Sequence, residues 1–380
     1  MRVYLDNAAT TQLDPSVFEA MRPYMLEHYG NPSSTHAHGR ATRSALEKAR
    51  KQVADLLNAS PAEIFFTSGG TEADNTAIRC SIETLNLRRA ITSRLEHHAV
   101  LHTLEDLAAR NVIQLYYVRT DERGNIDLTH LDQLLTHDET TLVSVMHGNN
   151  EIGNLNDLEQ IGDICEAHQA VFHSDTVQTL AHYPHDLSKL KVHCMIGSAH
   201  KFHGPKGVGL LYLKKGHKMA PFIHGGSQER NMRGGTENIY GIIGMARALE
   251  IAYHGMEDHR SHVLALKKKM MQELTEKIPG VAFNGESANV DKSLYTVLSV
   301  SLPPSDETDM LLFNLDLHQI SASGGSACNS GSNLGSHVLK ALGTDAERGA
   351  VRFSFSKYNT MDEMHYVVDK LAEMYATVRV

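Results

Sequence analysis

The 380-residue chain carries 36 Lys and Arg against 45 Asp and Glu, and its net charge of −9 with no basic stripe argues against general binding to nucleic acid. Its apolar fraction of 41% and charged fraction of 21% are those of a soluble globular enzyme, and its length asks for two lobes. No apolar run reaches membrane-spanning length. Cys80, Cys165, Cys194 and Cys328 are scattered without a C-x-x-C pair, which is neither a disulfide framework nor a zinc signature and points to a reducing cytoplasm. The 24 histidines predict a net charge that rises steeply toward zero near pH 6.

Met1 to Asp6 read as the start of a strand, not as a signal peptide. Asn7-Ala8-Ala9-Thr10-Thr11 are small and polar. They would let a backbone or a ligand approach closely, and a plain loop fits them equally well. Leu46, Ala49, Val53, Leu56 and Leu57 recur at helical spacing and predict a helix from about Gly39 to Asn58, with Asn58 suited to its C-terminal end. Ile64-Phe65-Phe66-Thr67 reads as a short buried strand. Gly69-Gly70-Thr71 then opens a helix running through Ile78. A strand, a glycine pair and a helix N-terminus form an anion cradle, because free N–H groups and the helix dipole favour a phosphate. A tight turn that binds nothing has the same signature.

Ala90-Ile91-Thr92 is strand-like and leads to His97-His98. A histidine at a strand's C-terminal edge can lie flat on an aromatic cofactor, or be plainly solvated. Leu142 to Met146 predicts a strand that enters Asn149-Asn150-Glu151. Ile161, Ile164 and Cys165 mark the apolar face of a helix, and Val171 to Asp175 is again strand. From Ile64 to about Leu213 polar residues gather after the strands, the mark of an open α/β sheet that binds ligands beyond its C-terminal strand ends. Asp175 stands at such an end. There it can keep a pyridine nitrogen protonated or, with equal weight, cap the next element. Gln178 follows one turn on.

Cys194 to Gly197 and Val208 to Leu213 predict two buried strands around Ser198-Ala199-His200-Lys201-Phe202-His203-Gly204-Pro205-Lys206-Gly207. A lysine on a rigid turn between buried strands is placed where desolvation lowers its pKa, and a neutral amine forms Schiff bases with carbonyls. A surface turn with two solvated lysines is the plain alternative. His224 to Thr236 is a long glycine-rich loop, functional or disordered. Helices from about Asn238 to Glu250 and Asp258 to Ile278 follow, with a lobe boundary around His254 to Asp258.

The remainder reads as α+β. It has a strand at Tyr295 to Leu302, a helix at Asp306 to Leu317, and a strand at Ala350 to Phe355 with Arg352 and Ser354 on its polar face. A capping box, Thr360 to Glu363, opens the last helix. Cys80, Cys165 and Cys194 sit in apolar patterns and read as buried hydrophobes. Cys328 lies in the polar run Ser321 to Asn333, where nothing can bury it. An exposed thiol there points to catalysis, and a lone cysteine makes metal the weaker reading.

Taken together, Tyr4-Leu5-Asp6-Asn7-Ala8-Ala9-Thr10-Thr11, Thr67-Ser68-Gly69-Gly70-Thr71-Glu72-Ala73-Asp74-Asn75, Asn149-Asn150-Glu151-Ile152-Gly153, the Lys201 turn and Gly324-Gly325-Ser326-Ala327-Cys328 resemble the motifs of group I cysteine desulfurases, the nitrogen-fixation and iron–sulfur-assembly type. The likeness runs almost end to end. It implies a class V aminotransferase-like, fold-type I enzyme dependent on pyridoxal 5′-phosphate (PLP). The implied fold is α/β, with a large domain at residues 15–255 whose mostly parallel central sheet is flanked by helices. A smaller α+β domain, residues 1–14 and 256–380, would carry the cysteine loop at about 321–333.

The resemblance also implies a homodimer with shared active sites. In it Lys201 is the Schiff-base lysine, Asp175 pairs with the pyridinium, Gln178 and Asn150 lie near the ring hydroxyl, and His97 stacks on the ring. Gly70, Thr71, Ser198 and His200 hold the phosphate together with Thr236 of the partner subunit. Arg352, with Asn150 beside it, grips the substrate carboxylate by a two-point contact. Cys328 is the nucleophile. No metal is implied. L-Cysteine would become L-alanine and leave a persulfide on Cys328, for an iron–sulfur scaffold or another acceptor. Selenocysteine lyase and an ordinary PLP aminotransferase or lyase are alternatives on the same scaffold. A non-enzymatic binding subunit would need none of Lys201, Asp175 and Arg352. Two departures from the pattern are Asn329, where threonine or serine is commoner, and an end at Val380, where some relatives carry a longer tail that docks a scaffold.

Overall fold

The computed structural model describes residues 1–137, 139–305, 308–324, 335–345 and 347–376. Its strands are β1 Val3–Tyr4, β2 Ile64–Thr67, β3 Arg89–Thr92, β4 Gln114–Tyr117, β5 Thr141–Ser144, β6 Val171–Asp175, β7 Cys194–Ser198, β8 Gly209–Leu213, β9 Ala282–Phe283, β10 Val297–Leu302, β11 Ile320–Ser321 and β12 Gly349–Ser354. Seven of them form one sheet in the order β2-β8-β7-β6-β5-β3-β4. Only β8 runs against its neighbours. This is the mostly parallel, helix-flanked α/β sheet that the sequence implies.

Every residue of β2, β3, β5, β6, β7 and β8 is buried. Helices cover both faces, so these strands read as continuous apolar runs without alternation. Ile91, Val143, Phe172 and Met195 face one apolar cluster, which includes Val17, Leu46 and Ile242 of the helices Pro15–Leu26, Ala37–Leu56 and Ile239–His254. Ala90 and Leu142 face another with the helices Gly70–Leu85 and His98–Ala109.

The remaining strands form two smaller sheets, β12-β10-β9 antiparallel and β1-β11 parallel. Helices Met256–Lys277 and Met361–Tyr375 pack with them around a separate core. Val3 and Leu5 join this core beside Leu298 and Phe353. The N-terminal residues therefore pack with the C-terminal part of the chain.

Several elements differ from expectation for physical reasons. The helix at Gly70 runs to Leu85, past Ile78, because Ile82 continues the stripe of Ile78. Between Ile239–His254 and Met256–Lys277 the hydrophilic stretch shrinks to Gly255. Helix Pro15–Leu26, missed in the sequence, starts on the Asp14 carboxylate, which accepts from Ser16 N–H at 2.8 Å, with Pro15 in its first turn. Of the helix expected at Asp306 to Leu317, the described part is a 3-10 turn and the helix Leu311–Leu317. The polar face of β12 turns inward, since Arg352 and Ser354 are 2% and 0% exposed. The capping box of Thr360 and Glu363 is formed. Cys80, Cys165 and Cys194 are buried, and burial pushes their thiols up to about 11, 12 and 12, so they are inert.

Candidate active site

A cavity of about 420 Å³ lies beyond the C-terminal ends of β3, β5, β6 and β7. The strand order reverses here, because β3 has β4 on one side and β5 on the other, and such switch points are where open α/β sheets bind ligands. Gly70 and Thr71 form one end of the cavity, at the N-terminus of a 16-residue helix. Gly69 precedes that helix and caps none of its N–H groups with a side chain. A Cβ on Gly70 would come within 2.9 Å of Val177 Cγ2, so glycine lets the helix start this close to the segment after β6. Ser198 at the end of β7 and His200 in the turn after it line the same cavity. Burial, then Lys201, pushes the His200 imidazole down to about 4.

Lys201 is half-buried, and its Nζ donates to the carbonyls of Ala8 at 2.6 Å and Ala9 at 2.8 Å. Gln178 Nε2 donates to the Ala8 carbonyl as well, at 3.0 Å. The small residues after β1 thus bring a backbone up to the lysine. Asp175 ends β6, and its Oδ1 accepts from Val177 N–H at 2.9 Å, so the side chain both caps the turn and lines the cavity. Burial raises its carboxyl, and Lys201 partly offsets this. His97 caps helix His98–Ala109, with Nδ1 accepting from Ala99 N–H at 3.1 Å. Burial first, then Lys201, lowers the ring to about 4. The ring is therefore neutral with its proton on Nε2.

Arg352 enters from β12. Its Nη1 donates to the Asn150 carbonyl and its Nη2 to Asp6 Oδ1, both at 2.8 Å. Its backbone N–H donates to Ser323 O at 2.6 Å, so the chain that leads toward Cys328 is tied to this arginine. On the far side of that loop Ser336 donates to Glu151 Oε2, and His337 lines the cavity with Nε2 3.0 Å from the Glu96 carbonyl. Cys328 itself lies outside the described residues.

Thr236 is not brought to the cavity of its own chain. It is exposed, beside Thr67 and Ser68. The segment before it is pinned by Glu229, whose buried carboxylate takes two 2.8 Å bonds from Arg50 and one of 2.9 Å from Phe66 N–H.

The structure adds residues that sequence reading passed over. Asp74 lines the cavity and is 1% exposed. Burial, then Asp175 and Glu96, raises its carboxyl well above the usual range. It lies 3.3 Å from His173, which burial lowers to about 3. Burial thus favours the uncharged form of both groups. Helical spacing from Gly70 to Asp74 was the available signal. His98, Glu151 and His337 line the cavity too, and only the topology brings them together.

The aminotransferase class-V family matches residues 3–367. Cysteine desulfurase IscS of Dictyoglomus turgidum is 42% identical over 384 residues, covering 99% of this chain and 95% of that protein. A solved NifS-like protein superposes with a TM-score of 0.91 at 39% identity, covering 100% of both chains. A structure described as SspA in complex with cysteine gives a TM-score of 0.82 at 30% identity, covering 95% of this chain and 100% of that one. Matched over nearly its whole length in sequence and in fold, the chain belongs to the class-V aminotransferase family, among its cysteine desulfurases.

Proposed function

We propose that the chain is a PLP-dependent desulfurase that converts L-cysteine to L-alanine and captures the sulfur as a persulfide on Cys328. The observation that carries this reading is the convergence of Lys201, Asp175, His97 and Arg352 on one cavity, with both flanks of the cysteine loop at its rim. Four residues lie between Ser323 and Cys328, and the five Cα steps span at most about 18 Å of extended chain.

The residues fit PLP. The uncapped N–H groups at Gly70 and Thr71, with Ser198 and His200 facing them, suit a phosphate. The buried Asp175 carboxyl, costly to ionise alone, suits a protonated ring nitrogen that supplies the counter-charge. Bound PLP supplies a carbonyl for an amine and an electron-withdrawing ring that acidifies the substrate α-carbon. Lys201 Nζ would hold the cofactor, and its amine would take the α-proton. His97, held neutral by burial, would offer its Nε2–H to the bound cofactor. Gln178 and Asn150, which line the cavity, would lie near the ring hydroxyl. Arg352 orients the substrate carboxylate through the Nη atoms that now serve Asn150 and Asp6. The Cys328 thiolate attacks the substrate sulfur, the carbon–sulfur bond breaks, and the released carbon is protonated to alanine.

The same reading has two lobes, 15–255 and 1–14 with 256–380, and a homodimer in which Thr236 of the partner subunit completes the phosphate site. The persulfide would pass to an iron–sulfur scaffold or another acceptor in the cytoplasm. No described helix is long and apolar enough to cross a membrane. The test supplies L-cysteine and PLP and measures alanine and sulfide together, with and without reductant. Alanine should form in both cases, with sulfide released only when reductant discharges the persulfide. Failure to form alanine would refute the activity.

A further inference from the structure

Arginine–carboxylate pairs line the free edge of β2, and the reaction above assigns them no part. β2 stands at one end of the seven-stranded sheet, so the backbone groups on its outer side have no neighbouring strand there. Side chains meet them instead. The Ile64 carbonyl accepts from Arg50 Nη1 at 2.8 Å and from Arg230 Nη2 at 2.6 Å. Phe66 N–H donates to Glu229, which Arg50 holds. Ser68 N–H, just before the glycine pair, donates to Glu72 Oε2 at 3.0 Å. Glu72 in turn accepts a fork from Arg233, Nε to Oε1 at 2.9 Å and Nη2 to Oε2 at 3.2 Å.

The Glu72–Arg233 pair sits where charge matters most. Glu72 is the third residue of the helix Gly70–Leu85, whose first two residues line the active-site cavity. Its side chain reaches back to the turn at Ser68 and is 10% exposed. A carboxylate in a first helical turn gains from the helix dipole, but it opposes any phosphate brought to the same N–H groups. Like charges repel, and water screens a mostly buried carboxylate weakly. Burial raises the Glu72 carboxyl, and the bonds from Arg233 and Ser68 more than offset this, so it stands below its ordinary value and is ionised. The arginine fork supplies the opposite charge.

The backbone before Arg233 is held in a costly shape. Glu229, Arg230 and Asn231 have φ of 43°, 55° and 66°, three left-handed residues in a row without a glycine. Such a conformation persists only where its surroundings fix it, and it gathers where a side chain must be aimed. Here Arg50 fixes Glu229, and the carbonyls of Pro61 and Ile64 fix Arg230. We propose that Arg233 is a positioning residue for the cofactor phosphate: carried by this turn, it neutralises Glu72 and keeps the segment Ser68 to Thr71 open to an anion that Glu72 alone would repel. The inference rests on the proposed function, which puts the PLP phosphate at Gly70 and Thr71.

The test titrates the purified full chain, freed of cofactor, with PLP and with pyridoxal, which lacks the phosphate, and reads the Schiff-base absorbance. Arg233→Gln should weaken PLP by about tenfold or more and leave pyridoxal within about threefold. Glu72→Gln keeps an acceptor for Ser68 N–H and loses the charge, so it should bind PLP at least as tightly as the wild type. The double variant should regain wild-type affinity for PLP to within about threefold. That recovery separates charge from fold, since a merely structural pair would leave the double variant as weak as the single one. Three results would overturn the inference. They are equal losses of PLP and pyridoxal in Arg233→Gln; PLP affinity unchanged in that variant; or weaker PLP binding in Glu72→Gln, which decides the matter even where Arg233→Gln does not fold. A wild-type chain that takes up no PLP would overturn the proposed activity, and this inference with it.

Discussion

Lys201 Nζ rests on two backbone carbonyls, while Lys206 in the same turn is exposed. Lys201→Ala should therefore abolish both the Schiff-base absorbance of the PLP-loaded protein and alanine release. Persistence of that absorbance would move the role to Lys206. Arg352→Lys keeps the charge and loses the fork that now reaches Asn150 and Asp6. A lost charge-assisted contact is worth about 1.5–3 kcal/mol, so KM for cysteine should rise roughly tenfold to a hundredfold with PLP affinity little changed. An unchanged KM would assign the carboxylate to another group. Cys328→Ser should still bind PLP and release almost no alanine, because a serine hydroxyl is not ionised at neutral pH. Near-normal alanine output would make Cys328 a bystander. Lys201 and Asp175 were legible because each sits beside an apolar run that marks a strand. Asp74, His98 and His337 were not. Their nearness to Asp175, Lys201 and Arg352 is a product of strand order, and no local pattern encodes it.

At the scale of elements, the antiparallel strand β8 closes onto the glycine turn that opens helix Gly70–Leu85. A Cβ on Gly209 would lie 2.5 Å from the Gly69 carbonyl carbon and 2.6 Å from Thr67 Oγ1. Backbone cannot yield there as a flexible side-chain end would. Gly209→Ala should cost about 1–3 kcal/mol of stability and weaken PLP binding at the same time. Thermal melts with and without PLP measure both, and an unchanged melting temperature would show that the cradle gives way. The buried strands were legible as apolar runs, and the helix ends through their caps. Strand β4 and helix His98–Ala109 escaped because Gln114 and Tyr117 break the apolar pattern of an edge strand and the helix begins on a histidine cap.

Over the whole molecule, the 24 histidines do not act as one buffer near pH 6. Burial lowers eleven of them. The net charge therefore rises less steeply near pH 6 than composition alone suggests. A histidine with a depressed folded-state pKa binds fewer protons folded than unfolded between its two pKa values, so its contribution to stability is whole above about 6.5 and is lost as the pH falls toward about 4. Asp74, Asp175 and Glu96 are raised and act in the opposite sense, favouring the fold below their folded-state values. The histidines outnumber them. The melting temperature of the PLP-free protein should fall between pH 6.5 and pH 4, and a flat profile there would refute this account.

The pairing of β1 with β11 also sets a clock. Val3 and Tyr4 reach their partners Ile320 and Ser321 only after more than three hundred further residues have been synthesised, on the order of tens of seconds at ribosomal rates. The Ala8 and Ala9 carbonyls that receive Lys201 lie just beyond this late-docking strand. A nascent chain can therefore complete its seven-stranded sheet while Lys201 still lacks these backbone acceptors. On stalled ribosomes displaying about 300 residues, protease should cut near the N-terminus and spare β2 to β8. Lys201 thus gains its two backbone acceptors only once the two ends of the chain have met.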